Sequence, residues 1–418
     1  MTTLDSSVAM AQSTQTQTSS TSLQTMGNDC MSKIKLSYII VALICYVIFP
    51  LHTFAMDSQD IQKLIDDLPS TGGTITLPVG EHILTTTNHS LEYFPNGEPI
   101  KTAILINKPN ITFEGHGSNT ILKLAPHSKM RAISISSSNV TIRNLVIDGN
   151  KANRNGSLPY PNGEVVDGLL FGSQSASNLI FENLEIRNGI EDAMGSWLGT
   201  NIVARYNYIH DNGTEEAGGA GISLSGVKQG YAHNNRIENN TATGIWSSFN
   251  AKDISIYDNL ITGNHSGGIT IGGGDTFTGI GADNNGFTIQ NNRLSKNGLS
   301  QFASITIFAS INGVISNNTI ESSYYDNFQV GGTKDYPSSN WTIKNNICNG
   351  PKGITDLGHT INIILIQNDC DTNFVTAKPG DLNGDGKVNI YDYSKLISGY
   401  GTVYTNTDFI NILANYGK

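Results

Sequence analysis

Val140-Thr141-Ile142-Arg143-Asn144-Leu145-Val146-Ile147 is the first clear copy of a phrase that recurs to residue 370: an alternating apolar run, Asn, one residue, then Ile or Leu. Further copies occupy 179–186, 202–209, 231–237, 254–261, 287–294, 314–320 and 341–347. The phrase asparagines are Asn144, Asn183, Asn207, Asn235, Asn259, Asn292, Asn318, Asn346 and Asn368, spaced by 39, 24, 28, 24, 33, 26, 28 and 22 residues. A repeat of this size with period-two alternation, not helical periodicity, predicts a solenoid of stacked β-coils. Every second residue then points inward and is apolar, while Thr, Ser and Lys face water. Asn suits the bend because it tolerates left-handed backbone and hydrogen-bonds locally. A leucine-rich repeat also sets Asn beside an apolar strand, but it needs Leu at several fixed positions, where this chain has Ile, Thr, Gly and Ser.

The chain of 418 residues is long enough for one elongated domain and a small second one. Its formal charge of −10, with charged residues at only 14%, leaves no basic surface for nucleic acid or an anionic membrane. Residues 1–30 are rich in Ser, Thr and Gln and are expected to be disordered. Met31-Ser32-Lys33-Ile34-Lys35, an apolar run over 36–51 and Thr53-Phe54-Ala55 form the three parts of a secretory signal, so residues 31–55 are expected to act as a leader cleaved after Ala55, or as an N-terminal anchor. Met31 is then the expected true start, and the remainder is expected to be extracellular or at the cell surface. Two cysteines follow the leader. Aligning 341–348 on 363–370 puts Cys348 and Cys370 in one column of adjacent coils, close enough for a disulfide.

A capping helix is expected before the coils. Asp57-Ser58-Gln59-Asp60 supplies an N-cap, Ile61, Leu64, Ile65 and Leu68 an apolar stripe, and Pro69 a stop. Such a cap shields the open solenoid end. Gly72-Gly73 and Leu77-Pro78-Val79-Gly80 then mark a turn and a strand, and Asn110-Ile111-Thr112-Phe113 opens a coil in register with Asn139-Val140-Thr141-Ile142. Over residues 57–373 this order resembles the right-handed parallel β-helices of the pectate-lyase and polygalacturonase type. The resemblance implies an all-β, right-handed parallel β-helix and says little of activity, because this fold hosts many chemistries.

The start of each second strand offers a column for chemistry. Asp167-Gly168-Leu169-Leu170-Phe171 aligns on Asp192-Ala193-Met194-Gly195-Ser196, then on 220–224, 243–247, 267–271, 303–307 and 326–330. Glu191 stands beside Asp192. Three carboxylates within a few ångströms require at least one raised pKa, and glycoside hydrolysis uses one protonated and one ionised carboxyl. Asp167, Glu191 and Asp192 are therefore the catalytic candidates, although an Asp-Gly pair can equally cap a bend.

At particular points the column resembles polygalacturonases. Their Asn-Thr-Asp-Gly falls on Val165-Val166-Asp167-Gly168, and their Asp-Asp pair on Glu191-Asp192. Their Gly-His-Gly falls on Gly219-Ala220-Gly221 and their Arg-x-Lys on Trp246-Ser247-Ser248, so the His and both cations are missing. Those cations would read a uronate, so a neutral glycan is expected, with Trp197 and Trp246 as stacking platforms and His210 as a further binding candidate that also reads as a surface turn. The motif of alginate epimerases and a lyase-type calcium-and-arginine cluster are both missing from the sequence, which ranks hydrolysis above lyase chemistry. The expectation is an exported glycoside hydrolase acting on a polysaccharide as a monomer. The alternative is a non-catalytic surface protein that binds glycan or another cell.

Pro379-Gly380 marks a boundary to a module over 379–418. Asp381, Asn383, Asp385, Lys387 (through its carbonyl), Asn389 and Asp392, with Gly386 at the sharp turn, match an EF-hand-type loop for one Ca2+. Loop and helix resemble type I dockerins. The helix recurs, Asp392 to Gly401 returning as Asp408 to Gly417, but the loop does not, so one calcium is implied. The resemblance also implies a cohesin-like scaffold as partner; Ile390 and Tyr391 stand where small hydroxyl residues are usual, which weakens that implication.

Overall fold

The computed structural model describes residues 55–85, 88–93, 99–154, 168–174, 176–215, 218–273, 283–299, 302–321, 323, 326–349, 353–371, 380, 382, 388–400 and 406–417. The Ser/Thr/Gln-rich segment and nearly all of the expected leader lie outside them. No described helix is long and apolar enough to cross a membrane.

The fold is a right-handed parallel β-helix with an N-terminal helix and two short C-terminal helices. Among the described residues its coils build a nineteen-stranded sheet and an eleven-stranded sheet, called here the ladder sheet and the floor sheet. Pairing is parallel from coil to coil, apart from the first strand of the floor sheet, Asn88–Tyr93, which runs antiparallel to Pro99–Ile106. The inward column of the floor sheet is Ile133, Leu170, Met194, Ile222, Ile245, Ile269, Ile305, Phe328 and Ile354, each at most 1% exposed. Such a column buries apolar area continuously along the axis, and this supplies most of the driving force for stacking.

The helix Ser58–Asp67 starts at Asp57, whose side chain accepts from the backbone N–H groups of Gln59 and Asp60. Ile61 and Ile65 are fully buried beneath it, whereas Leu64 is 37% exposed, so the apolar stripe is narrower than the sequence reading.

The phrase asparagines fall into two columns, not one. Asn207, Asn235, Asn259, Asn292, Asn318, Asn346 and Asn368 form a ladder in which each backbone N–H donates to the next Oδ1 at 2.9–3.1 Å, and all but the last are at most 2% exposed. Asn144 and Asn183 sit one position earlier, in the bend column with left-handed φ, and Leu184 takes the ladder position in its coil. A second buried ladder, Asn212–Asn240–Asn264–Asn297, closes the following bend at 3.0–3.2 Å. Buried amides in a row satisfy backbone N–H groups that no strand partner can reach. At the far end Cys348 and Cys370 are joined in a disulfide with Cα atoms 5.0 Å apart.

The two C-terminal helices, Ile390–Gly399 and Asn406–Asn415, share a small core of Val388, Leu396 and Ile412, with Leu382, Tyr393 and Phe409 against it.

Candidate functional site

The floor sheet carries the candidate chemistry on its outer face. Leu170 pairs with Met194, and Met194 with Ile222, so two residues earlier Gly168, Asp192 and Ala220 share one level. Backbone bonds agree: Leu169 N–H donates to the Asp192 carbonyl at 3.0 Å and Ala193 N–H to that of Ala220 at 2.9 Å. The sequence alignment of Asp167 on Asp192 is therefore off by one at this step, while its later steps hold. A glycine-flanked bend carries no inside–outside alternation to fix the register. Asp167 itself lies outside the described residues.

Extending the level one coil further back brings Arg131 into it, because Ile133 pairs with Leu170. Arg131 is 2% exposed, and its guanidinium carbon lies 4.6 Å from the Phe171 ring centroid. The sequence reading missed this residue. The available signal was Arg131-Ala132-Ile133-Ser134-Ile135, which has the same strand pattern as the column below it.

Asp192 is half-buried. Its Oδ1 accepts the Ala220 N–H at 2.7 Å, and the Ser223 hydroxyl is near enough to favour the ionised carboxyl. Loss of water pushes the carboxyl up to about 6, a rise that the Ala220 bond, the Ser223 hydroxyl and the Arg131 charge oppose but do not cancel. Glu191 precedes it in the bend, also half-buried.

The outward row beside Asp192 runs Ser134, Phe171, Gly195, Ser223, Trp246, Thr270, Thr306, Gln329. Ser134, Ser223, Thr270, Thr306 and Gln329 are 1–6% exposed although they point away from the core, so this face is shielded. The hydroxyls of Ser134 and Thr270 find no hydrogen-bond partner among the described residues. A Cβ on Gly195 would stand 2.4 Å from the Ser223 carbonyl oxygen and 3.0 Å from the Phe171 ring, so only glycine fits there. Phe171 and Trp246 thus stand on one outward row with Gly195 and Ser223 between them, roughly 14 Å apart from three strand spacings.

The other substrate-binding candidates lie elsewhere. Trp197 sits five residues along the strand from Asp192, roughly 16 Å at extended rise, with its ring 4.9 Å from that of Phe249. His210 is on the ladder sheet, stacked on Tyr208 at 4.1 Å and bonded to Asp211 at 2.6 Å and Glu185 at 3.4 Å. The structure brings Trp246 and Asp192 to one face and places Trp197 at its far edge and His210 on the other sheet.

Residues 162–281 match the family model described as a right handed beta helix region. No curated protein sequence matches the chain. The A-modules of two mannuronan C-5 epimerases of Azotobacter vinelandii, AlgE6 and AlgE4, superpose with TM-scores of 0.53 and 0.51 at 17% and 15% identity; both cover 76% of this chain, and 93% and 94% of their own. The catalytic unit of a GH87 α-1,3-glucanase from Streptomyces thermodiastaticus superposes with a TM-score of 0.50 at 13% identity, over 76% of this chain and 69% of that one. At such identities the likeness is one of fold.

For the implied calcium site, Asp381, Asn383, Asp385 and Lys387 lie outside the described residues. Asn389 caps the helix by accepting the Tyr391 N–H at 2.8 Å. Asp392, fully buried, accepts N–H groups of Leu382 and Asn389 at 2.8 Å each and so draws the two ends of the loop together. A carboxylate is the kind of oxygen donor that a hard cation takes.

Proposed function

We propose that the chain is an exported carbohydrate-active protein, a glycoside hydrolase that cleaves a neutral polysaccharide on the floor sheet. The observation that carries this reading is Asp192, whose carboxyl titrates near 6 beside the outward row that carries Phe171 and Trp246. Below that pH it is protonated and can give its proton to a leaving glycosidic oxygen. Glu191 and Asp167 are the candidates for the ionised partner. Trp246, 37% exposed on this row, offers a ring face for a sugar. Carbohydrate chemistry in the names of the epimerases and the glucanase supports the reading without choosing among reactions.

The test is reducing-sugar release from a panel of neutral and acidic polysaccharides by the wild type and by Asp192→Asn. Release from at least one neutral polymer, lost in the variant, is the expected result. No release from any polymer would leave the adhesion reading standing.

In the C-terminal module we propose one Ca2+, held by Asp381, Asn383, Asp385, the Lys387 carbonyl, Asn389 and Asp392, its chemistry purely structural. Calorimetric titration should return one site, removed by Asp381→Ala.

A further inference from the structure

At the bend following the first half of each ladder-sheet phrase, one column of residues takes left-handed backbone with φ of 50–57°: Asn144, Asn183, Tyr206, Asn234, Asp258, Asn291, Asn317, Asn345 and Gln367. Eight of the nine are Asn, Asp or Gln, short polar residues suited to a turn, and Asn and Asp are the ones that tolerate this conformation best. Tyr206 is the exception. A bulky aromatic residue there is strained, and strain of this kind persists where something other than the fold selects for it.

The ring does not repay the strain by burial, since Tyr206 is 54% exposed. It meets His233 edge-on, with centroids 5.9 Å apart, and His233 in turn lies parallel to Tyr257 at 4.7 Å and 4°. Tyr231, 36% exposed, stands on the same strand as His233 with its side chain on the same outer face. The phenols of Tyr206 and Tyr231 and the carboxylate of Asp258 are near enough to Tyr257 to help partial burial hold its hydroxyl above the ordinary value. The nearest cation on this row, Arg205, is tied to Glu182 at 2.6 Å. The patch therefore presents ring faces and hydroxyls with its charges already paired or sparse. It extends over two coil spacings, roughly 10 Å. Nucleic acid and anionic surfaces do not fit a chain of net charge −10. A neutral, hydroxyl-rich polymer does, because sugar rings stack on aromatic faces and hydrogen-bond to their rims.

We propose that Tyr206, Tyr231, His233 and Tyr257 form a second carbohydrate-binding platform, on the ladder sheet and separate from Asp192, that holds a neutral polysaccharide. The choice of polysaccharide as occupant rests on the proposed function; the platform's geometry does not.

The experiment is retention of the full chain on insoluble cellulose, xylan, β-1,3-glucan and α-1,3-glucan, for the wild type, Tyr206→Asn, Tyr257→Ala and Asp192→Asn, with Tm measured for each. Tyr206→Asn installs the residue the column otherwise uses, so it should fold with equal or higher Tm. Its retention should nonetheless fall roughly tenfold, the size expected for losing a stacked ring. Tyr257→Ala should lose retention as well, while Asp192→Asn keeps it and loses only sugar release. Failure of the wild type to be retained on any of the four polymers overturns the platform. So does unchanged retention in Tyr206→Asn, a lower Tm in that variant, which would make the ring a structural prop, or loss of retention in Asp192→Asn, which would put the polymer on the floor sheet. Retention without any sugar release keeps the platform and sinks the hydrolase reading alone.

Discussion

The two sheets of the solenoid share one set of coils and treat their outer faces in opposite ways. On the ladder sheet the outward row begins Glu114, Arg143, Glu182, Arg205, paired in series: Arg143 to Glu114 at 2.7 Å and to Glu182 at 3.7 Å, Arg205 to Glu182 at 2.6 Å. These charges are partly exposed and answer one another. In the equivalent row of the floor sheet Ser134, Ser223, Thr270 and Thr306 are shielded from water, and the carboxyl of Asp192 beside that row is pushed towards neutrality. The self-satisfied stretch of the ladder-sheet row, Glu114 to Arg205, has little left to offer a ligand, unlike its aromatic continuation through His233 and Tyr257. A shielded face with a raised carboxyl and hydroxyls lacking partners is one where chemistry can be done.

Four measurements would break or sharpen this contrast. Asp192→Asn should cut sugar release by about 100-fold or more, as removal of a general acid does, and wild-type activity should decline as pH rises above about 6. A pH profile flat from 4 to 8 would put the acid elsewhere. Asn259→Ala should destabilise by about 3 kcal/mol, read from denaturant unfolding, because it leaves the Asn235 N–H groups without their buried acceptor, takes the side-chain donor from Asn292 and leaves the Ala232 and Tyr257 carbonyls short of a donor. The third concerns linkage. Asp192 has a folded pKa above its unfolded one, so the native state binds the extra proton and stability falls as pH rises between about 4 and about 6. Asp192→Asn should remove that fall, making the variant more stable than wild type at pH 8 by about 2 kcal/mol in thermal melts. Arg143→Met, on the ladder sheet, should cost under about 1 kcal/mol and leave sugar release unchanged. A large loss of activity there would erase the distinction between the faces.

How far the sequence could be read follows the same division. Alternation within the strands made the β-helix legible, because inward Ile and Leu recur at every second position. The Asn phrase revealed the bends but merged two columns one residue apart, since Asn serves both as a left-handed turn residue and as a buried ladder. The candidate site was legible as a level, through Asp192, Ala220 and Thr243, and went wrong by one residue at Asp167 and by omission at Arg131. Coil lengths vary, so hydrogen-bond register has to decide which residues share a level there. Trp197 and His210 were near Asp192 in sequence and apart in space for the same reason: a β-strand carries residues away at about 3.3 Å each, and a bend assigns them to another sheet.

By itself, then, the sequence determined the architecture, the capped start, the cysteine column and a group of three candidate carboxyls, because each depends on local pattern. Only the tertiary structure decided that Asp192 is desolvated, that Arg131 shares its level, and that Tyr206 sits strained in an asparagine's place. Those depend on which coil lies over which, and that is fixed by backbone bonds between residues tens of positions apart.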